Sequence, residues 1–205
     1  MMNIENMSAE AYNNAVINYK SALKSMNVMF ETISDEFISR SMSDPIEHKK
    51  TRLKTPQSIS AKLIKRGWEP TWENAVAHID DIAGIRIICS FTSDIYKIAT
   101  VIEAQTHIKV LGVKDYIANP KQSGYRSYHM LVEVPVHLSS KMEYVKVEIQ
   151  IRTIAMDFWA SLEHKMRYKY KSDVPIELCE ELNDCANIVS FLDERMARLN
   201  AEIEK

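Results

Sequence analysis

Glycine is scarce in this chain, with four glycines among 205 residues. That scarcity excludes the glycine-rich loops with which P-loop proteins and dinucleotide-binding proteins hold phosphate groups. If this protein binds a phosphorylated ligand, side chains must therefore hold the phosphates.

Long apolar runs are missing as well. No stretch reaches the roughly 18 apolar residues of a membrane-spanning helix, and residues 1–10 lack the apolar core of a signal peptide. The sequence therefore predicts no membrane association. The three cysteines have no zinc-finger spacing, which favours reduced thiols and a cytoplasmic protein. The formal net charge of -2 argues against a basic nucleic-acid coat protein.

The hydrophobic content of 46% and the length predict one globular domain over residues 1–205. Apolar periodicity predicts strands at 82–91, 108–116, 127–136 and 144–152, and helices at 92–105 and 153–170. A further helix begins at Thr55-Pro56 and ends at Gly67. The expected fold is α+β, a mixed sheet flanked by helices, with a catalytic core at about 44–170.

Both ends of the chain are predicted to be long amphipathic helices, at 8–39 and 175–204. In the second, apolar residues recur in steps of four and three, from Leu178 to Ile203, as in a coiled-coil seam. Such helices either pack on their own sheet or join subunits. The sequence alone does not decide between these two arrangements.

One strand presents a polar face that suits chemistry. Val145, Val147, Ile149 and Ile151 alternate with Lys146, Glu148, Gln150 and Arg152, so one face belongs to a core and the other carries charged and amide groups. An ordinary half-exposed strand has the same alternation, so this pattern decides nothing alone.

A second polar interruption lies at residues 78–88. Asp81 stands at the mouth of a strand, and Arg86 breaks its apolar run. A charge inside such a run is costly unless it is paired, so Arg86 faces either a structural carboxylate or an anionic ligand. Asp81 and Glu148 together suit Mg²⁺, which prefers few carboxylates, several waters and phosphate oxygens.

Basic side chains cluster between the first predicted helix and Asp81. The cluster contains Arg52, Lys54, Lys62 and Arg66, and the last two lie one helical turn apart. It is a plausible clamp for a triphosphate. A solvated basic face and an RNA-binding surface are the alternatives.

The loop at 119–129 is rich in groups that contact bases. Tyr125 follows Gly124 and can stack on a purine, which contributes on the order of 1–3 kcal/mol per base.

Taken together, these motifs resemble the synthetase domain of the RelA/SpoT family, most closely its stand-alone small alarmone synthetases. The resemblance spans about residues 44–170. The motifs that carry it are Arg52-Leu53-Lys54 with Ser58-Ile59 and Lys62, Asp81-Ile82-Ala83-Gly84-Ile85-Arg86-Ile87, Lys114-Asp115-Tyr116, Gly124-Tyr125-Arg126-Ser127-Tyr128-His129, Val147-Glu148-Ile149-Gln150-Ile151-Arg152-Thr153 and Phe158-Trp159-Ala160-Ser161-Leu162-Glu163-His164-Lys165.

The resemblance implies a GTP/GDP pyrophosphokinase with a nucleotidyltransferase-like mixed sheet of about five strands. Such an enzyme moves the β,γ-pyrophosphate of ATP to the 3′-hydroxyl of GDP or GTP, giving ppGpp or pppGpp and AMP. The implied catalytic residues are Asp81, Arg86 and Glu148, with Mg²⁺ on Asp81 and Glu148. The implied ATP-binding residues are Arg52, Lys54, Lys62, Arg66 and Arg86. The implied GDP/GTP-binding residues are Lys114, Lys121, Tyr125, His129 and Gln150.

The resemblance also carries expectations about partners. It implies a homotetramer, with regulation by (p)ppGpp or single-stranded RNA left open. No His-Asp pair of a hydrolase domain is present, and neither a hydrolase activity nor a ribosome-binding module is expected. The alternatives are a non-catalytic RNA-binding module and a nucleotidyltransferase that releases pyrophosphate.

Overall fold

A computed structural model describes residues 3–40, 43–169 and 175–203. After a short 3-10 turn, the elements are α1 (Ala9–Ala15), α2 (Ile17–Ser39), β1 (His48–Leu53), α3 (Pro56–Lys65), α4 (Trp72–His78), β2 (Ala83–Cys89), α5 (Thr92–Glu103), β3 (Lys109–Asp115), β4 (Tyr128–His137), β5 (Met142–Thr153), α6 (Ile154–Lys169) and α7 (Ile176–Ile203). This is the predicted α+β fold.

The five strands form one mixed sheet in the order β1-β2-β5-β4-β3. Only β2 and β5 run parallel; the other neighbours are antiparallel. Strands far apart in sequence therefore lie side by side at the centre of the sheet.

One face of the sheet forms the main core. The predicted alternation on β5 is confirmed, because Val145, Val147, Ile149 and Ile151 are all buried. Helices α2 and α5 cover this face, α2 with residues such as Met26 and Phe30. The opposite face of the sheet carries the polar residues of β2, β4 and β5.

The predicted N-terminal helix is interrupted once. Val16 has φ -97° and ψ 6°, which separates α1 from α2. The apolar stripe of α2 packs on the sheet of its own chain, with Ala22, Met26 and Ile33 buried. Of the two readings left open for this stripe, packing on the sheet is the one observed.

Two elements were missed. β1 lies within the basic stretch, where it forms an edge strand with its side chains largely exposed, so its sequence shows no apolar alternation. α4 has only seven residues and one buried residue, Ala75, which leaves too little periodicity to detect. The predicted start of α5 at Thr92 is confirmed, and the residue at its cap position is Phe91, whose N–H donates to Asp94.

The predicted seam on α7 divides into two parts. Leu182, with Ala186, packs against Trp159 of α6, and the Trp159 indole donates to the Leu182 carbonyl at 2.9 Å. Further along the helix, Leu192 and Ile203 are exposed by 54% and 83%.

None of the helices in the described ranges combines the length and the apolarity needed to cross a bilayer.

Candidate active site

A row of polar side chains crosses the open face of the sheet. Strand register places five residues side by side, one from each strand, in the order Lys50, Arg86, Gln150, His129 and Lys114. Residues directly opposite in neighbouring strands point to the same face. The row therefore brings one basic residue of the predicted ATP group together with three residues of the predicted acceptor group.

A second row, two residues away along the strands, contains Glu148. Here Arg52 lies opposite Gly84, and Gly84 lies opposite Glu148. The missing side chain of Gly84 leaves open space between the arginine and the carboxylate. That space is part of a cleft of about 280 Å³, lined by Lys50, Thr51, Arg52, Lys54, Asp81, Gly84, Ile85, Arg86, Glu148 and Gln150.

Asp81 is held between two lysines at the end of this cleft. Lys54 Nζ and Lys62 Nζ each lie 2.7 Å from one oxygen of the Asp81 carboxylate. Burial acts to raise the pKa of Asp81, but the two ammonium groups outweigh it and the pKa is lowered. Asp81 is therefore an ionised group with both oxygens engaged by cations.

The position of Lys62 depends on the start of α3. Thr55 caps the helix by accepting a hydrogen bond from the N–H of Ser58, and Pro56 occupies the first turn. Gly67, with φ 80°, ends the turn that follows α3, as predicted. The cap fixes the direction of the helix, and Lys62 reaches Asp81 from it.

Two side chains of the first row contact Glu148. Gln150 Nε2 donates to Glu148 Oε2 at 2.8 Å, and His129 Nδ1 lies 3.5 Å from Oε1. Burial acts to raise the pKa of Glu148, and the contacts with His129 and Gln150 lower it by more. The carboxylate is thus ionised at neutral pH.

Tyr125 stands beside the cleft on a tight turn. Gly124 adopts φ 81°, and its N–H donates to the Lys121 carbonyl at 2.8 Å. The Lys121 ammonium lies 4.8 Å from the centre of the Tyr125 ring and 4.6 Å from that of Tyr116. His129 meets both rings edge-on. These groups form an aromatic and cationic platform next to Glu148.

Arg86 lies between the cleft and α6. Its Nη1 is 3.1 Å from Oδ1 of Asp157, and its side chain is 37% exposed. The two readings of Arg86 are therefore compatible: it pairs with a structural carboxylate and still faces the cleft.

The sequence matches a known protein family. The family described as the region found in RelA / SpoT proteins matches residues 51–173. This chain belongs to the RelA/SpoT family. It is 48% identical to GTP pyrophosphokinase YwaC of Bacillus subtilis (strain 168) over 195 residues, which cover 95% of this chain and 93% of that protein.

Solved structures of RelA/SpoT relatives share the fold. The small alarmone synthetase 1 from Bacillus subtilis bound to its product pppGpp is 34% identical, with a TM-score of 0.87 over 95% of this chain and 98% of that chain. The same protein bound to AMPCPP is 31% identical, with a TM-score of 0.81 over 95% and 98% of the two chains. The resemblance inferred from the motifs is confirmed at the level of family and fold.

Most of the residues expected from the RelA/SpoT motifs lie in or beside the cleft. Arg66 is the exception, since it does not line the cleft and its Nη1 donates to the His78 carbonyl at 2.9 Å. Lys114 is exposed on β3, opposite His129 and at the far end of the first row.

Sequence reasoning missed several residues of this site. Lys50 and Thr51 line the cleft because β1 pairs with β2. Asp157 and Arg152 join the site through their contacts with Arg86 and Tyr125. Arg152 lies on the same polar face of β5 as Glu148, and this was the one signal in the sequence for Arg152. Nothing in the sequence indicated Asp157.

The carboxylates of this site fit a magnesium ion. Among residues 3–40, 43–169 and 175–203, no group of three or more His, Cys, Asp or Glu side chains is arranged to hold a metal. Asp81 and Glu148 both line the cleft, and two carboxylates suit an ion that takes its remaining ligands from water and phosphate.

Proposed function

We propose that this protein is a GTP pyrophosphokinase that transfers the β,γ-pyrophosphate of ATP to the 3′-hydroxyl of GDP or GTP. The products are ppGpp or pppGpp and AMP. The observation that carries the proposal is a single cleft in which two carboxylates, Asp81 and Glu148, face basic side chains beside the Tyr125 platform. The relative that is 48% identical to this chain is itself named a GTP pyrophosphokinase.

The reaction forms one bond and breaks another at the β-phosphorus of ATP. The 3′ oxygen of the acceptor bonds to this phosphorus, while its bond to the oxygen that bridges to the α-phosphate breaks. AMP leaves with that oxygen, and the hydroxyl proton passes to a base. Catalysis of this kind depends on positioning and on neutralising phosphate charge.

Basic side chains supply the ATP site. Arg52 and Arg86 flank the space above Gly84, and Lys54 and Lys62 meet at Asp81. In the absence of a glycine-rich loop, such side chains hold a triphosphate through charge-assisted hydrogen bonds. The structure of the relative with AMPCPP supports an adenine nucleotide as one substrate.

The acceptor nucleotide belongs on the other side of Glu148. Tyr125 offers a ring for the guanine, and Lys121 offers a cation beside it. His129, Gln150 and Lys114 continue the first row away from the ATP site. The relative with pppGpp bound supports a guanosine nucleotide here.

Glu148 is the group best placed to accept the hydroxyl proton. Its lowered pKa keeps it unprotonated at neutral pH, and it stands between the two proposed nucleotide sites. A positioned general base contributes roughly 10²–10⁴-fold to a rate.

Asp81 and Glu148 would hold Mg²⁺. Bound there, the ion neutralises phosphate charge and orients the phosphate groups for in-line attack. In this proposal, Lys54 and Lys62 then serve phosphate oxygens as well as Asp81.

The test is product analysis. Purified protein is incubated with γ-labelled ATP and either GDP or GTP, with Mg²⁺ or with a chelator. We expect label in a guanosine tetra- or pentaphosphate, equimolar AMP, and no product in the chelator. Release of pyrophosphate in place of AMP would indicate the nucleotidyltransferase alternative, and the lack of any labelled guanosine product would overturn the proposal.

We also propose that α7 joins subunits into a homotetramer. On the second half of the helix, four apolar side chains of the predicted seam are about half exposed or more, namely Leu192, Met196, Leu199 and Ile203. Light scattering should give four times the 23.6 kDa chain mass, and Leu199→Glu should lower it. A monomer mass for the unaltered protein would contradict this assembly.

Regulation by (p)ppGpp or single-stranded RNA, and a cytoplasmic location, stay predictions. The named relatives are pyrophosphokinases, so an RNA-binding module without catalysis is not favoured. Adding either ligand to the same assay tests the regulation directly.

A further inference from the structure

Arg152 is a buried cation for which the proposed reaction has no use. Its side chain is 5% exposed. Nη1 donates to Asp157 at 2.9 Å and Nη2 to the Tyr125 hydroxyl at 2.6 Å. Nη2 also meets Gln150 Oε1 at 3.2 Å, and Nε meets Ser127 Oγ at 3.4 Å. A buried guanidinium is costly unless paired and hydrogen-bonded, and each of these nitrogens has a partner.

These contacts begin a chain that ends at Glu148. The Tyr125 oxygen accepts from Arg152, so the Tyr125 hydrogen is free for His129 Nε2, which lies 2.9 Å away. When the Tyr125 hydroxyl donates to it, Nε2 is an acceptor, and in a neutral ring the hydrogen must sit on Nδ1. Nδ1 faces Glu148 Oε1 at 3.5 Å. An ionised carboxylate can only accept hydrogen bonds, so each hydrogen bond in this series is donated in the direction of Glu148.

We propose that Arg152 is a positioning residue. Through the Tyr125 hydroxyl it keeps His129 in the Nδ1–H form, and it holds the platform for the acceptor base in register with Glu148. The inference rests on the proposed function, because it concerns the arrangement of the acceptor site. Arg152 acts beneath the platform, and Asp157 holds it there.

The Tyr125 hydroxyl distinguishes this role from simple stacking. A stacking platform needs only the aromatic ring, which phenylalanine also provides. Positioning through Arg152 needs the hydroxyl, because that oxygen is the link between Arg152 and His129. Tyr125→Phe therefore removes the link and keeps the ring.

Arg152→Lys is the matching change at the other end of the link. Lysine keeps the positive charge that Asp157 requires, but its single ammonium cannot reproduce the planar fork of a guanidinium. Tyr96→Phe is the matched control, since it also deletes one tyrosine hydroxyl. Tyr96 lies on α5, and its hydroxyl donates to Asp115.

The first measurement is the ¹⁵N spectrum of the His129 ring in the full-length protein without nucleotide, at a pH where the ring is neutral. We expect the Nδ1–H form in the unaltered protein and in Tyr96→Phe. In Tyr125→Phe and Arg152→Lys we expect a mixture with the Nε2–H form. An unchanged Nδ1–H form in both variants, with circular dichroism showing a native fold, would overturn the proposal.

Kinetics give the second measurement. We expect Tyr125→Phe and Arg152→Lys each to lower kcat/KM for the acceptor about tenfold, the loss of one hydrogen bond, with the KM for ATP unchanged. Because the two residues act through one link, the double variant should be no slower than the slower single variant. Multiplying losses, or unaltered kinetics in Tyr125→Phe, would contradict the positioning role.

The two proposals fail in different ways. If the unaltered protein makes no guanosine product while the variants still change the tautomer of His129, the proposed function is wrong. The series of hydrogen bonds from Arg152 through Tyr125 to His129 then still stands. If product forms and His129 does not respond, the positioning role is wrong and the proposed function stands.

Discussion

Arg86 and Arg152 donate to the same oxygen, Oδ1 of Asp157, at 3.1 and 2.9 Å. One carboxylate thus serves two guanidinium groups, and one positive charge remains unneutralised. Arg152 is the more deeply buried of the two, while Arg86 lines the cleft. The unneutralised charge is therefore presented where a phosphate group is expected.

Replacing the proposed base should remove activity without unfolding the protein. We expect Glu148→Gln to lower the rate of transfer by roughly 10²–10⁴-fold, because an amide cannot accept the proton. The labelled-ATP assay measures the rate. Glu133→Gln is the control, since Glu133 lies in the middle of β4, pairs with Lys109 and does not line the cleft. Near-normal activity in Glu148→Gln would rule out its role as the base.

Lys62 and Arg66 should differ despite their equivalent spacing on the helix. Lys62 contacts Asp81 beside the cleft, whereas Arg66 is exposed and bonded to the His78 carbonyl. We expect Lys62→Gln to raise the KM for ATP by about 10- to 100-fold, the loss of one charge-assisted contact, and Arg66→Gln to have a much smaller effect. Steady-state kinetics with varied ATP decide between them, and equal effects would restore Arg66 to the ATP site.

Gly124 and Gly67 form a natural pair for testing the tyrosine loop. Both have positive φ, but a Cβ on Gly124 would lie 2.4 Å from Ala186 Cβ, whereas one on Gly67 meets nothing within 4 Å. We expect Gly67→Ala to cost about 1–2 kcal/mol of stability and to leave the acceptor KM unchanged. Gly124→Ala should cost more and raise that KM, because the turn that bears Tyr125 must move off α7.

Thermal unfolding and acceptor kinetics on both variants check this pair. Equal losses of stability, with an unchanged acceptor KM in Gly124→Ala, would show that α7 does not support the turn.

Acid should weaken the protein partly through Asp81. Its pKa is lowered in the folded state, so the stability it contributes is present above its usual pKa of 3.8 and is lost as pH falls through the folded value. At neutral pH, Asp81→Asn leaves two lysines facing each other, and we expect a loss of roughly 1–3 kcal/mol. Unfolding curves measured from neutral to acidic pH should show the stabilities of the variant and the parent converging below pH 3.8. A constant difference would contradict this assignment.

Asp193 should behave in the opposite way. It is buried and accepts from Thr153 Oγ1 at 2.7 Å. Burial raises its pKa in the folded protein, so stability falls as pH rises from 3.8 to the folded pKa and stays lower above it. Asp193→Asn keeps an acceptor oxygen and removes the charge, and we expect a gain on the order of 1 kcal/mol at neutral pH. Calorimetry should show that this gain in stability disappears below pH 3.8. A loss of stability at neutral pH would show that the charge itself is needed.

The sites that sequence could predict were those with a local signal. β5 alternates between apolar and polar residues, so its buried face and the outward Glu148 followed directly. Thr55-Pro56 and Gly67 are local signals of a helix start and stop, and both are where they were expected. β1 gave no such signal, because an edge strand with basic side chains has no buried face to produce alternation.

The sequence by itself determined the family, the identity of the acidic and basic residues, and which face of β5 they occupy, because motifs and two-residue periodicity are properties of neighbouring residues. The tertiary structure alone decided which of those residues meet. Glu148 and Gly84 lie opposite each other because β5 inserts between β2 and β4. Asp157 joins Arg86 because α6, which follows β5, packs against β5 and β2. Strand order and register are set by the packing of whole elements, which no single segment of the chain encodes.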